Sequence, residues 1–209
     1  MAQTTRDQLL ATARRLFAER GFYGVSIANI ADEHGLTKQA LLHHFPNKAK
    51  LYGEVLREIS DDLDKLKLAA METSADPKAR LGTLLRAMVP TIEDETIRTR
   101  LLMRELLDNV PRAETAGTWY LKTFLNDLVG MVKAVPGWAE ATEAEALAVI
   151  YQLLGAVNYF GVSGPTLQGI FGKTKVRMLN EAFPAQLDAL LDAAFAIRHS
   201  KALVSTRSP

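Results

Sequence analysis

Three polar side chains with helical spacing, Lys38, Gln39 and His43, are the residues of this sequence best suited to binding chemistry. They fall on the outer face of a short helix whose inner face is formed by Leu41 and Phe45. Lysine can pair with guanine O6 and N7 or with a phosphate, and glutamine can bridge adenine N6 and N7. The pattern therefore predicts a helix face that contacts base edges in the major groove of DNA.

Hydroxyl and ammonium groups flank this face and are suited to binding phosphate oxygens. Ser26 and Thr37 each precede a predicted helix, where a hydroxyl and the free backbone N–H groups favour an anion. Thr37 is also expected to face the major groove with the three polar side chains of the helix, and Lys48 adds a positive charge beyond them. Such contacts position a protein on DNA but carry no sequence information.

Residues 27–46 have the pattern of a helix-turn-helix that would hold these side chains. Ile27, Ile30 and Ala31 share one face of a short first helix. Gly35 lies at the end of that helix, where we expect a positive φ that glycine adopts without steric cost. The second helix of such a motif enters the major groove.

The flanking segments extend this unit in both directions. A helix is predicted over residues 4–20, because the following apolar residues recur at helical spacing: Leu9, Leu10, Ala13, Leu16 and Phe17. A glycine-bounded turn, residues 21–24, carries two aromatic residues. Pro46 cannot extend the recognition helix, and Asn47 can cap a long helix predicted over residues 47–71.

Linked motifs in the first 60 residues resemble the TetR family of bacterial transcriptional regulators. They are Ala-x-x-Leu-Phe-x-x-x-Gly-Phe at residues 13–22, Ser-x-x-x-Ile-Ala at 26–31, Gly-Leu-Thr-Lys at 35–38 and His-Phe-Pro-x-Lys at 44–48. The resemblance implies an all-α fold. It comprises an N-terminal three-helix helix-turn-helix DNA-binding domain, residues 4–64, and a C-terminal helical bundle for ligand binding and dimerisation, residues 65–200. Residues 201–209 are predicted to form a mobile tail.

Leu42 departs from the family pattern, which usually has an aromatic residue, often tyrosine, at the matching position. A leucine cannot donate the hydrogen bond by which that hydroxyl meets a phosphate. It can contact a thymine methyl group or help to pack the domain. We therefore expect an altered DNA affinity or sequence preference.

The remainder of the chain has helical periodicity interrupted by proline and glycine. Helices are predicted over residues 77–89, 92–109, 115–135, 142–161 and 184–198. Asp76 is a predicted cap before Pro77, and residues 163–173 are predicted to form an ordered, glycine-rich loop. Arg100, Arg104 and Glu105 are polar residues of an otherwise apolar helix and are expected in solvent or in salt bridges. The alternative is that one of them anchors a carboxylate or phosphate.

The resemblance to TetR proteins also implies a pocket among the middle helices for a small apolar or amphipathic effector. Its candidate lining residues are Met103, Leu107, Trp119, Tyr120, Phe124 and Tyr151. Core packing is the alternative role for each of them. Wide apolar stripes on the last two helices favour a homodimer interface, as in the family, with candidate residues Leu154, Asn158, Leu187, Leu191 and Phe195. A two-fold dimer would read a palindrome.

Composition excludes several classes of function. The chain has 209 residues and no cysteine, which excludes disulfides, thiolate catalysis and Cys-based metal sites. Adjacent His43 and His44 point about 100° apart on a helix and are not expected to share a metal. Neither a signal peptide nor an apolar run of membrane-spanning length is evident, which predicts a cytoplasmic protein without membrane contact.

Charge adds a modest indication of an anionic partner. Residues 1–50 contain seven Lys or Arg against four Asp or Glu, whereas the remainder contains 18 against 20. A basic N-terminal segment on a slightly acidic remainder fits an N-terminal contact with phosphates. Ordinary fluctuation of composition is the alternative explanation, and a difference of this size favours it.

The sequence thus predicts a DNA-binding transcriptional regulator, a ligand-responsive repressor that acts as a homodimer on double-stranded DNA. An enzyme is not expected, since no phosphate loop, nucleophile signature or metal spacing is present, and no cofactor is predicted. The alternative is a helical protein–protein interaction module that has lost specific DNA binding. The departure from the family pattern at Leu42 is the one observation that favours it.

Overall fold

The structure, a computed structural model, describes the backbone of residues 4–91, 93–108 and 120–205 and the side chains of residues 4–91, 95–107 and 120–196. Within these ranges the chain is helical, without a β-strand, in agreement with the predicted all-α class. The helices are α1 (Thr5–Arg20), α2 (Ile27–Asp32), α3 (Lys38–His44), α4 (Lys48–Met71), α5 (Pro77–Met88), α6 (Glu93–Asp108), α7 (Lys122–Lys133) and α8 (Glu143–Ser205).

The first three helices begin at hydroxyl side chains that accept backbone N–H groups. Thr4 and Ser26 form capping boxes with Asp7 and Asn29, and the hydroxyl of Thr37 accepts from the amide of Ala40. Gly35 has a φ of 61° in the turn between α2 and α3, as predicted. Local sequence therefore sets the start of each helix and the direction of the turn.

The described chain forms two compact units, and the first contains residues up to Leu63 together with α6 and Tyr120. Its core is built from fully buried side chains of α1 to α4, among them Phe17, Ile30, Leu41, Phe45 and Leu51. The predicted domain boundary fell after residue 64 and placed α6 in the C-terminal domain. The structure instead packs α6 against α1.

The second unit contains residues 64–90 and those from Leu121 onwards. Its helices α5, α7 and α8 contact one another and bury Leu84, Leu128 and Leu153. The indole N–H of Trp138 donates to the carbonyl of Phe195 at 3.4 Å. Asp76 caps α5 at Lys78 and Ala79, with Pro77 in its first turn, as predicted.

The predicted loop at residues 163–173 is wrong, because α8 is helical through this segment. Glycine and proline usually interrupt helices, but here the interruption is confined to Gly172, with φ 78° and ψ 162°. The rings of Phe160 and Phe183 stack with centroids 3.7 Å apart, so the two halves of α8 fold back on each other as a hairpin. The helical backbone also continues to Ser205, into the predicted tail.

The length and composition of α8 differ from the prediction that no apolar run reaches membrane-spanning length. In the described part of the chain it is the one helix long and apolar enough to cross a membrane, with a mean hydropathy of 1.4 over its most apolar stretch. The core helix of a soluble protein satisfies the same criterion. The kink at Gly172 lies within this segment, and a third of the stretch is buried within the protein.

Replacing Gly35 with alanine should destabilise the protein by about 1–2 kcal/mol, because only the backbone strain of a left-handed residue is added. A Cβ at this position meets no described atom within 4 Å. The matched control is Gly130→Ala, whose Cβ is equally open among described residues but lies inside α7. That change should stabilise by about 1 kcal/mol. Urea unfolding measures both, and equal effects would contradict the assignment of the turn.

Candidate nucleic-acid interface

The outer face of α3 presents the predicted base-contacting side chains to solvent. Lys38, Gln39 and His43 are exposed, and Thr37 is exposed at the helix N-terminus. Leu42 is half-buried at the edge of the same face. Leu41 is completely buried and fixes the rotation of α3, so that the polar residues point outward.

A concavity beside α3 brings together three of the predicted phosphate contacts. Ser26, Lys38 and Lys48 line it together with Tyr23 and Asn29, and its volume is ≈ 450 Å³. The hydroxyl of Ser26 accepts the amide of Asn29 at 3.0 Å. The same hydroxyl donates to Oδ1 of Asn29 at 2.8 Å, so the two ammonium groups provide the donors and positive charge that a phosphate group requires. We call this surface, lined by Tyr23, Ser26, Asn29, Lys38 and Lys48, the phosphate concavity.

Lys48 is the most firmly placed cation of the phosphate concavity. Its ammonium nitrogen lies 4.4 Å from the ring centroid of Phe22, a cation–π contact. Burial lowers the pKa of Lys48 from its ordinary value. The side chain is therefore held close to the protein surface, so less conformational freedom remains to be lost when it binds an anion.

An aromatic cluster beneath the phosphate concavity was not predicted from sequence. Tyr52 packs edge-on against Phe17 and Phe22, with centroid distances of 4.9 and 5.0 Å, and Phe22 packs edge-on against Tyr23. The signal was present in the aromatic pair of the turn at residues 21–24. The packing of Tyr52 on Phe17 and Phe22 depends on the tertiary contact between α1 and α4, which the sequence does not reveal.

Two adjacent residues of α6 also contact this unit, which the sequence had not indicated. Arg104 donates to the carbonyl oxygens of Ala18 and Glu19 at the end of α1, at 2.9 and 2.7 Å. The Tyr52 hydroxyl donates to Glu105 at 3.0 Å. Glu105 is thus engaged in a hydrogen bond rather than fully solvated, and Arg104 caps the end of a helix.

Most arginines of α1 are engaged by acidic residues of the same unit. Arg6 pairs with Glu54 at 3.2 Å, Arg14 pairs with Asp62 at 3.5 Å, and Arg15 pairs with Glu33. The pKa of Glu54 is lowered by its arginine partners. The hydrogen bond from Arg57 has the largest effect, and the hydrogen bond from Arg6 lowers the pKa further. The positive charge of residues 1–50 is therefore partly neutralised by ion pairs within the unit. Lys38 and Lys48 become the stronger candidates for the predicted DNA contact.

The histidines do not form a metal site among the described residues. The rings of His43 and His44 have centroids 5.7 Å apart, and His34 is hydrogen-bonded to the Thr12 hydroxyl at 2.8 Å. No three potential metal ligands are grouped together among the side chains that the structure describes. His34 instead joins α1 to the turn of the helix-turn-helix.

The candidate pocket residues are not assembled into one cavity by the described part of the structure. Phe124 is buried in the core of the second unit, whereas Leu107 and Tyr151 are 74% and 50% exposed. Met103 and Tyr120 are half-buried in the first unit, and Trp119 lies outside the described residues. Among the candidates that the structure describes, none lines the cavity of the second unit that is formed by α4, α5 and α7.

Three of the candidate dimer residues are buried within the chain itself. Leu187, Leu191 and Phe195 are at most 5% exposed and pack inside their own unit, so they are not available to a second copy. Asn158 is buried as well, and Leu154 is half-buried. The predicted stripe was real, but it faces the core of the chain.

Several known proteins are similar to this chain in sequence. A family model described as "Bacterial regulatory proteins, tetR family" matches residues 9–55. The HTH-type transcriptional regulator RutR of Escherichia coli (strain K12) is 25% identical over 172 residues, which cover 81% of this chain and 79% of RutR. The HTH-type transcriptional repressor KstR2 of Mycolicibacterium smegmatis is 35% identical over 88 residues, or 42% of this chain and 43% of KstR2.

The fold is also found among solved structures. A transcriptional regulator from Rhodococcus sp. Rha1 superposes with a TM-score of 0.67 at 20% sequence identity. The superposition covers 92% of this chain and 97% of the Rhodococcus chain. The common architecture therefore extends through the C-terminal helices, where the sequence has diverged.

Removing the ammonium of Lys48 should weaken binding to any duplex of about 30 base pairs. The slope of log K against log salt should fall in magnitude by about 0.9, the value for one lost phosphate contact. Fluorescence anisotropy at four salt concentrations measures Lys48→Ala against Lys133→Ala, which removes the same charge from the end of α7. Equal slopes for the two variants would place the DNA contact elsewhere.

Proposed function

The chain belongs to the TetR family of bacterial transcriptional regulators and is a DNA-binding regulator, and we propose that it acts as a cytoplasmic homodimeric repressor. In this proposal the dimer binds a palindromic operator through the outer face of α3 and leaves it when a small apolar or amphipathic effector binds the second unit. The DNA-binding domain comprises residues 4–64, to which α6 is attached.

The observation that carries the proposal is the joint placement of α3 and the phosphate concavity. Lys38 borders both surfaces, while Gln39 and His43 point outward from α3. Side chains suited to base edges thus lie beside a surface suited to phosphates, which is the arrangement that sequence-specific binding requires. Thr37 and Ser26 add hydroxyl groups at two helix N-termini.

A homodimer is supported by the outer surface of the α8 hairpin. This surface exposes Tyr151 and Tyr159, which are 50% and 72% accessible, on either side of Gly155. The second half of the hairpin exposes Leu190, and Leu154 lies half-buried at the edge. An apolar surface of this kind favours association, and a second copy supplies the second recognition helix that a palindrome needs.

A cavity in the second unit is the candidate effector site. Its volume of ≈ 480 Å³ falls within the range of about 300–1,000 Å³ that is usual for small-molecule pockets. Its apolar wall is formed by Leu68, Met71, Pro77, Met131 and Ala134. Lys67, Arg80, Asn126 and Asp127 supply a polar edge, so the cavity fits an apolar molecule with one polar end.

The second candidate function, an interaction module without specific DNA binding, has only Leu42 in its favour. Selection of bound sequences from a random duplex pool at near-physiological salt separates the two. The proposed repressor should enrich a palindrome with two similar half-sites, because two α3 helices related by a two-fold axis contact the DNA. Failure to enrich any motif would reject sequence-specific regulation and favour the interaction module.

Filling the second-unit cavity should abolish binding of an apolar anionic probe. Gly130 lines the cavity, and a Cβ there meets no described atom within 4 Å, so Gly130→Leu extends a side chain into the space without a backbone clash. We expect the fluorescence enhancement of 1-anilinonaphthalene-8-sulfonate to fall several-fold in Gly130→Leu.

Gly130→Ala is the matched control, since it changes helix propensity in the same direction but leaves most of the cavity open. Equal probe fluorescence in the leucine and alanine variants would exclude this cavity as the site. Addition of the probe to a complex with the selected duplex then tests whether occupancy of the cavity weakens DNA binding, as a ligand with different affinities for two states must do.

A further inference from the structure

We propose that Arg104 and Glu105 of α6 are positioning residues for DNA binding, because they hold the two edges of the phosphate concavity from behind. The inference rests on the proposed function, in which this concavity binds a phosphate of DNA. Neither residue lines the concavity itself, so each acts through the groups that it contacts.

Arg104 holds the edge that is formed by the turn after α1. Its Nε and Nη2 groups donate to the carbonyl oxygens of Ala18 and Glu19, two of the last four carbonyls of α1. A Cβ on Gly21, which has a φ of 72°, would lie only 3.1 Å from Nη1 of Arg104. The guanidinium therefore caps α1 at the residue where the chain turns towards the DNA surface.

The capped turn leads directly into the phosphate concavity. Tyr23 follows Gly21 by two residues, and Ser26, the N-cap of α2, follows by five; both line the concavity. The orientation of the last turn of α1 thus sets where these hydroxyl groups lie. A cation at this helix end is also favoured by the negative end of the helix dipole.

Glu105 is connected to the Lys48 edge of the concavity through two aromatic rings. It accepts a hydrogen bond of 3.0 Å from the Tyr52 hydroxyl. The Tyr52 ring packs edge-on against Phe22, and the Phe22 ring lies beneath the ammonium of Lys48 at 4.4 Å. A continuous series of contacts therefore joins α6 to the cation that is most firmly placed in the concavity.

Two neighbouring residues of one helix thus reach two different edges of the same surface. A rotation or shift of α6 moves both edges together, whereas loss of either side chain releases one of them. The consequence for DNA is a change in phosphate contacts, which a role in folding alone does not produce. The diagnostic quantity is therefore the salt dependence of binding, measured beside thermal stability.

The experiment compares Arg104→Ala with Arg100→Ala, which removes the same charge one turn earlier on α6. Binding is measured on the selected duplex and on an unrelated duplex of equal length at four salt concentrations. We expect Arg104→Ala to weaken binding to both duplexes by about tenfold and to reduce the salt slope by about 0.9. Arg100→Ala should change binding less than twofold. Lysine lacks the planar guanidinium group that donates to both carbonyls at once, so Arg104→Lys should have an intermediate DNA affinity.

The Glu105 contact is tested with variants that leave the packing in place. Tyr52→Phe removes only the hydroxyl, Glu105→Ala removes the acceptor, and Glu105→Gln keeps an acceptor oxygen. Tyr52→Phe and Glu105→Ala should weaken binding to both duplexes and lower the salt slope, and the double variant should be no weaker than Glu105→Ala alone. Glu105→Gln should restore most of the binding.

Unchanged affinity and salt slope in Arg104→Ala and Tyr52→Phe would overturn the inference, as would a fall in melting temperature without a change in slope. These outcomes leave the proposed function intact, because wild-type binding is measured in the same series. If the wild-type protein prefers no sequence, the proposed function fails. The salt slope on the unrelated duplex still tests the role of α6, since phosphate contacts do not depend on sequence.

Discussion

Burial of the side chains beneath α2 and α3 is the constraint on which the candidate DNA-binding surface depends. These helices have six and seven residues, whereas isolated helices shorter than about 12–15 residues are marginal in water. Packing must therefore provide most of their stability. Ile30, Leu41 and Phe45 are at most 1% exposed, and α2 contacts both α1 and α3. The polar face of α3 exists because its opposite face is held in this core.

On the same surface, the position of each charged residue matters more than the number of charged residues. The arginines of α1 are largely engaged by carboxylates of their own unit, and partly exposed pairs of this kind contribute no more than about 1 kcal/mol each. They orient α1 against α2 and α4 more than they attract DNA. Lys38 and Lys48 are the proposed DNA contacts because one exposed helix start and one aromatic ring place them beside the same concave surface.

The α8 hairpin illustrates how packing assigns opposite roles to two stripes of similar composition. Leu187 and Leu191 lie on the side that faces α5, where Arg86 and Lys78 also pair with Asp188 and Asp192. Tyr151 and Tyr159 lie on the outer surface. Helical periodicity identifies both stripes as apolar, but only the position of α5 decides which one is buried within the chain and which one stays exposed.

The sequence by itself determined the DNA-binding half of this protein. Caps at Ser26 and Thr37, the positive φ of Gly35 and the outward face of α3 follow from neighbouring residues, because capping, turn geometry and helical periodicity are local effects. The all-α class and the family resemblance rest on the same local patterns. The roles of individual DNA-contacting side chains remain predictions that extend from them.

Tertiary structure decided the features that join residues distant in sequence. It attached α6 to α1 through Arg104, placed Tyr52 under Phe22, and continued α8 through a segment that glycine and proline had marked as a loop. It also formed a cavity between α4, α5 and α7 that periodicity alone did not indicate. Periodicity reveals that a helix has an apolar face, but not which neighbour covers it. That choice depends on the packing of the whole unit and is absent from any local stretch of sequence.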